Sequence, residues 1–165
     1  MKDIYSGFTI RRIIQEDNRA LAEIVRSVFE EHDAPREGTV YSDPTTDNLF
    51  ELFSLPKSVL WVAVVEGVVE GCCGIYPTEG LPEGCAELVK FYLSSETRGK
   101  GIGRKLMEHS IASAMEMEYR SLYIESLPQY SRAIAIYENQ GFKMLDRQLG
   151  KSGHSTCNIW MIKYL

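Results

Sequence analysis

The spacing of apolar residues changes several times along the chain, and each change marks an element. Phe8 to Ile13 mixes apolar and polar positions in alternation and predicts a first strand. Asp17 is placed to cap a helix, and Leu21, Ile24, Val25, Val28 and Phe29 then recur at helical spacing, as one buried face. Residues 33–43 are polar, with Pro35 and Gly38, and read as a loop. Asp43 as cap and Pro44 in the first turn predict a short second helix ending before Pro56. Two β-rich runs follow, Ser58 to Val65 and Val68 to Tyr76, joined at Glu66-Gly67 by a tight hairpin turn.

A turn-rich connection, Pro77 to Gly84, leads to a strand over Cys85 to Leu93. Arg98 to Gly103 then opens a helix running to about Glu118, and Ser121 to Ser126 is again a strand. Tyr130, Ala133, Ile134 and Tyr137 share one face of a helix that Gly141 terminates. Two last strands, Phe142 to Leu149 and Thr156 to Tyr164, flank the turn Gly150-Lys151-Ser152-Gly153. The order β-α-α-β-β-β-α-β-α-β-β predicts a mixed α/β domain, spanning residues 1–165, with helices on both faces of one sheet.

Composition narrows the class of molecule. Hydrophobic content of 44% and charged content of 25% are those of an ordinary globular protein. A net charge of −5 gives no attraction for nucleic acid or acidic lipid, and no stacking aromatics accompany the Lys/Arg cluster. The acidic balance suits a cationic substrate such as an amine, although solubility alone accounts for it. The 4 cysteines form no C-x-x-C pair. Adjacent Cys72 and Cys73 suit neither zinc nor a disulfide, so no metal is expected and buried reduced thiols are. Met1 to Arg12 lacks the apolar core of a leader, and the longest apolar run, Val59 to Val65, is too short to span a bilayer. The expectation is a cytoplasmic protein without membrane or nucleic-acid partners.

The chemistry concentrates in Arg98-Gly99-Lys100-Gly101-Ile102-Gly103, between a strand and a helix. Glycines without Cβ let backbone N–H groups approach a ligand closely, and the helix start adds unpaired donors and partial positive charge. Arg98 and Lys100 add more, which suits a pyrophosphate. The loop fits neither G-x-x-x-x-G-K-[ST] nor G-x-G-x-x-G, because Arg104 and Leu106 stand where further glycines would be needed.

The same six residues match in full the [QR]-x-x-G-x-[GA] signature of the GNAT acetyltransferase superfamily, which this sequence resembles. The preceding strand is similar to the strand leading into that loop, especially in the histone-acetyltransferase branch, down to the spacing from Glu87 to Arg98. Ala133 to Phe142, with its Tyr-Glu-x-x-Gly-Phe, resembles the family's second cofactor motif. The resemblance implies a mostly antiparallel sheet of about seven strands flanked by about four helices. It also implies that the two strands bordering the cofactor splay apart.

The implied activity is transfer of acetyl from acetyl-CoA to a primary amine by direct attack. The alternative is a non-catalytic acyl-CoA-binding or sensor module. Main-chain groups of Phe91, Tyr92 and Leu93 would pair with the pantetheine arm, and Arg98, Gly99, Lys100, Gly101, Ile102, Gly103 and Arg104 would bind the pyrophosphate. Glu87 stands at the spacing of a general base, needed because an amine of pKa near 10.4 is protonated at neutral pH. Tyr137 would be the acid that protonates the departing thiolate. Tyr130 replaces an asparagine the family often uses to hold the cofactor, with Gln129 and Ser131 beside it. Tyr41, Tyr76 and His154 are candidates for the acceptor pocket, and Asp43, Asp47 and Glu51 for selecting a cationic acceptor. Cys85 would be the thiol to suspect of covalent chemistry, but a packed apolar thiol accounts for it. The acceptor's identity and the oligomeric state, a homodimer included, stay open.

Overall fold

The computed structural model describes residues 2–165; Met1, the first residue of the stretch read above for a leader, lies outside them. The strands are β1 (Lys2–Tyr5), β2 (Phe8–Arg12), β3 (Val59–Val65), β4 (Val68–Tyr76), β5 (Cys85–Leu93), β6 (Ser121–Ser126), β7 (Lys143–Met144) and β8 (Ile159–Tyr164). They form an eight-stranded sheet in the order β1-β2-β3-β4-β5-β6-β8-β7. Its pairings are antiparallel except for β5 with β6. Helices α1 (Asn18–Glu31) and α2 (Leu49–Leu52) pack on one face, and α3 (Ile102–Glu116) and α4 (Ser131–Asn139) on the other. Among the described residues no helix is long and apolar enough to cross a membrane.

Strand alternation separates two cores. Leu60, Val62 and Cys72 pack with Leu21 and Leu49 on the α1 face, while Ala63, Cys73 and Ile75 pack with Ile102, Leu106 and Met107 on the α3 face. Cys72 and Cys73 thus point to opposite sides of β4, and all four cysteines are free thiols. The hairpin at Glu66-Gly67 is as expected. Both residues have positive φ, 49° and 80°, as a two-residue turn matched to the strand twist requires.

The strand count agrees with the implied fold, and three other expectations need correction. The sheet has eight strands where about seven were implied, because Lys2-Asp3-Ile4-Tyr5 pairs as an edge strand; exposed Lys2 and Ile4 alternate with half-buried Asp3 and Tyr5, so no apolar face marks it in the sequence. Asp17 caps no helix. Its carboxylate takes both arms of Arg11, at 2.7 and 3.0 Å, and the Ile14 N–H at 2.9 Å, which pins α1 to β2. The second helix shrinks to Leu49–Leu52, preceded by 3-10 turns at Val40–Ser42 and Pro44–Asp47, although Asp43 does cap the latter through the Thr45 N–H. The strand expected over Phe142 to Leu149 survives only at Lys143–Met144, and the last strand starts at Ile159. The chain between leaves the sheet because Gln148, Leu149 and Ser152 bond to Glu125 and Tyr123.

Gly74 on β4 pairs with Leu60 on β3, and a Cβ there would sit 2.3 Å from the Val59 carbonyl oxygen. Backbone cannot yield as a side chain can, so Gly74→Ala is expected to cost about 1–3 kcal/mol. Urea unfolding with an unchanged m-value checks it.

Candidate active site

β5 and β6 pair through only Cys85↔Ser121, Ala86↔Leu122 and Glu87↔Tyr123. Beyond Glu87, β5 stays with β4 while β6 stays with β8, and the two part, as the resemblance implied. A cleft of ≈ 500 Å³ opens in the gap. Leu88 to Leu93 form one wall, and Ser126, Leu127 and the start of α4 form the other. From Glu87 to Leu93 the strand rises roughly 20 Å, its unpaired edge facing the gap.

The glycine loop closes one end. Gly99 and Gly101 have φ of 80° and 81°, and a Cβ on either would meet nothing within 4 Å. Their backbone sign calls for glycine, and the space over them is open. Gly101 precedes α3, which has no side-chain cap, so its first N–H groups are available to an anion. Gly103 serves packing, since a Cβ there would lie 3.0 Å from Leu93 Cδ1 and 3.2 Å from Phe91 Cζ. Arg98 braces the loop. It donates to the Leu93 carbonyl at 3.0 Å and pairs with Glu31 of α1, whose carboxyl that hydrogen bond holds below its usual range. Arg104 lines the cleft; Lys100 is exposed outside its lining, and Ile102 is buried in the core, leaving only its main chain to face a ligand.

Charged side chains meet where the strands part. Glu87 is 4% exposed and accepts a 2.6 Å hydrogen bond from Thr78 Oγ1. Burial raises its pKa to about 7, the Thr78 bond opposing and the Glu125 charge adding to the rise. Glu125 itself accepts from Tyr123 Oη at 2.7 Å, Gln148 Nε2 at 2.9 Å and Ser152 Oγ. Ligand atoms of Glu87, Glu125 and His154 lie within 4.8 Å of one another. His154 Nε2 is 3.2 Å from Asp43 Oδ2. Burial, then the Lys90 charge, lowers the His154 pKa, so the ring is mostly neutral at pH 7. Burial pushes Asp43 up, but hydrogen bonds from Thr45 and His154 outweigh it and hold the carboxyl low.

Tyr137 faces the gap from α4. Phe142 N–H bonds the Tyr137 carbonyl at 3.0 Å and Gly141 N–H the Glu138 carbonyl at 3.0 Å, a Schellman ending that Gly141 permits with φ of 93°. The ending presses Phe142 onto the Tyr137 ring, centroids 6.0 Å apart, and Phe91 packs on it at 5.9 Å. Burial raises the phenol's pKa, so it stays protonated. Tyr130, Gln129 and Ser131 all line the same wall, and among the described residues the buried Tyr130 hydroxyl has no hydrogen-bond partner. An orphaned donor, an uncapped helix start and open space over two glycines fit an extended acyl-CoA.

Of the acceptor candidates, His154 reaches the cleft. Tyr41 lies under Arg36, 4.7 Å from its ring, and bonds Glu30, while Tyr76 packs on Phe53 and pairs with Glu87 through the backbone; neither lines the cleft. Asp47 is taken by Arg26 at 2.7 Å and Glu51 by Asn18 at 2.8 Å, leaving Asp43 as the one of those three carboxylates beside His154. Sequence reasoning missed Lys90 and Glu125. Their signal was a charge inside a strand otherwise fit for burial.

A sequence profile of the Acetyltransferase (GNAT) family matches residues 21–142. The chain belongs to this family. It is 36% identical over 157 residues, 94% of each chain, to the Uncharacterized N-acetyltransferase YjgM of Escherichia coli K12. A GNAT-family acetyltransferase of Staphylococcus aureus superposes with a TM-score of 0.83 at 18% identity, covering 95% of this chain and 98% of that one. A phosphinothricin acetyltransferase of Sinorhizobium meliloti, solved with AcCoA, gives 0.76 at 20% identity, covering 96% and 89%. The GNAT protein is thus an acyltransferase, and acetyl transfer from acetyl-CoA is its activity.

The position of Glu87 ties stability to pH. Its folded pKa of about 7 lies above the unfolded value of 4.5, so its contribution is present below pH 4.5 and lost as pH rises through about 7. Ionising it in place costs on the order of 3 kcal/mol. Glu87→Gln is expected to flatten the fall in unfolding free energy between pH 5 and pH 8. An equal slope in the variant would reassign that titration.

Proposed function

We propose that this GNAT enzyme acetylates a primary amine by direct attack, with Glu87 as general base and Tyr137 as general acid. What carries the reading is that these two buried groups stand on opposite walls of a cleft whose far end is the glycine loop. Acetyl-CoA, when bound, supplies an electrophilic thioester carbonyl and a thiolate leaving group.

Each residue then has one task. The N–H groups of Gly99, Gly101, Ile102, Gly103 and Arg104 hold pyrophosphate, with the Arg104 charge beside them, Lys100 adding field from outside and Arg98 fixing the loop. Main-chain groups of Phe91, Tyr92 and Leu93 pair with the arm as a strand would. Glu87, half ionised near pH 7, takes a proton from the acceptor ammonium, directly or through water, so the nitrogen lone pair can form the new C–N bond. Tyr137 gives its proton to sulfur as the C–S bond breaks, and regains one from the acylated nitrogen through solvent. One proton is released overall. Free thiols at Cys72, Cys73, Cys85 and Cys157 favour a cytoplasmic setting.

Three variants divide the roles. Gly101→Val is expected to abolish the stabilisation of ~2.7 kcal/mol that acetyl-CoA gives at a hundred times its Kd, read as a Tm shift; an undiminished shift moves the phosphate site elsewhere. Glu87→Gln should lower kcat by roughly 10²–10⁴ and remove the rise of kcat/KM through about pH 7, with acetyl-CoA affinity kept. Tyr137→Phe should lower kcat by ~10–10³, a modest loss because a thiol of pKa near 8.5 already leaves readily. Full activity in Tyr137→Phe would leave that residue as packing.

A further inference from the structure

Lys90 is the residue the mechanism above does not use and the fold does not explain. It interrupts the apolar run Leu88-Val89-Lys90-Phe91-Tyr92, yet it is only 7% exposed. Burying an ammonium is costly unless it is paired. Among the described residues its ammonium has no hydrogen bond and no ion pair; burial lowers its pKa, and the more distant charges of Asp43 and Glu87 only partly oppose that. Those carboxylates are committed elsewhere, Asp43 to Thr45 and His154 and Glu87 to Thr78.

The backbone bears a second cost at the same position. Lys90 has φ of 58°, a left-handed conformation unusual for a residue with a long side chain. The β4–β5 register jumps from Gly74↔Val89 to Cys72↔Tyr92, so Lys90 and Phe91 share the space opposite Cys73, a β-bulge. Leu88, Phe91 and Leu93 pack toward α3, whereas Val89 and Tyr92 pack toward α1. The extra residue therefore brings Lys90 onto the Val89 side, which is also the side of Glu87. Both line the cleft, and three residues of chain keep their Cα atoms within about 10 Å.

We propose that Lys90 receives a carboxylate of the acceptor, so that the acceptor is a small free amino acid whose ammonium lies toward Glu87 and Glu125. The inference rests on the reading that the acceptor enters beside Glu87. The local charges select this class. A polyamine would bring a second cation against Lys90. A phosphorylated amine would bring a dianion against Asp43, Glu87 and Glu125. A zwitterion matches the ammonium with one end and the carboxylates with the other, and it supplies the partner that Lys90 lacks.

The test compares the proteinogenic amino acids with their amides and their decarboxylated amines as acceptors, with thiol release as the readout. Wild type is expected to favour a free acid over its amide by about 10–100-fold in kcat/KM, the span of one charge-assisted hydrogen bond. Lys90→Met should reduce that ratio to within about threefold, mainly through KM, and Lys90→Arg should keep part of it. Because Lys90→Met also removes an unpaired buried charge, its Tm without ligand should equal or exceed that of wild type; a lower Tm with equal losses on acids and amides would make Lys90 a structural residue and overturn the proposal. Equal use of acids, amides and amines by wild type would overturn it too. Calorimetry of the same amino acids against the coenzyme A complex separates the two readings: Lys90-dependent binding without turnover on any acceptor would refute Glu87 catalysis and leave the carboxylate site standing, whereas turnover without acid preference would refute the carboxylate site alone.

Discussion

The parting of β5 from β6 is the constraint on which the rest depends. A strand in the middle of a sheet normally spends its N–H and C=O groups on two neighbours. Here β5 is paired on both edges only through Glu87, and the following residues keep one neighbour. That leaves an edge inside the molecule rather than at its rim, where an extended amide-bearing ligand can add as a strand would. The parting has local causes. The bulge at Lys90 bends β5 while it remains with β4, and β6 is held over its whole length by β8 from Ser121↔Tyr164 to Ser126↔Ile159.

The two ends of the gap are built from different chemistry. At the loop end the charges are positive and dispersed: backbone donors, an uncapped helix start, and Arg104 at the surface. These groups stay partly solvated and cost little to keep ready. At the other end the charges are few, buried and mutually opposed. Glu87 feels Glu125, His154 is kept neutral by burial and Lys90, and Asp43 is held ionised by its donors. Burial there makes each hydrogen bond and each proton count for more than in water. The same burial puts the Glu87 pKa near neutrality, at about 7.

What was legible in the sequence was local. Glu66-Gly67 fixes its turn by φ alone, Gly141 ends α4 by φ alone, and two of the alternating glycines before α3, Gly99 and Gly101, take the positive φ that only glycine adopts readily. The resemblance to GNAT enzymes rested on the same short-range features and carried Glu87 and Tyr137 with it. What was not legible depends on contacts distant in sequence. Asp17 looks like a helix cap until Arg11 folds back onto it. The chain after Met144 keeps Leu145 and Leu149 at strand spacing, and only Tyr123 and Glu125, more than twenty residues earlier, draw Leu149, Gln148 and Ser152 out of the sheet. Lys90 is invisible to periodicity because a bulge shifts the period at that residue.

Helix α1 links the two ends of the cleft. Its start is fixed to β2 through Asp17 and Arg11, and its last residue, Glu31, holds the Arg98 that braces the glycine loop. The segment after α1 runs through Thr39, whose hydroxyl bonds the Pro35 and Arg36 carbonyls, and then delivers Asp43 to His154. One helix thus sets both the position of the glycine loop and the reach of the polar segment toward His154 at the other end of the cleft. A displacement of α1 along the sheet would disturb both at once. Arg98 is an ion-pair partner, and that role accounts for an arginine at the first position of the loop: it can donate to Leu93 and Glu31 together, which the single ammonium of a lysine cannot do with the same planar geometry.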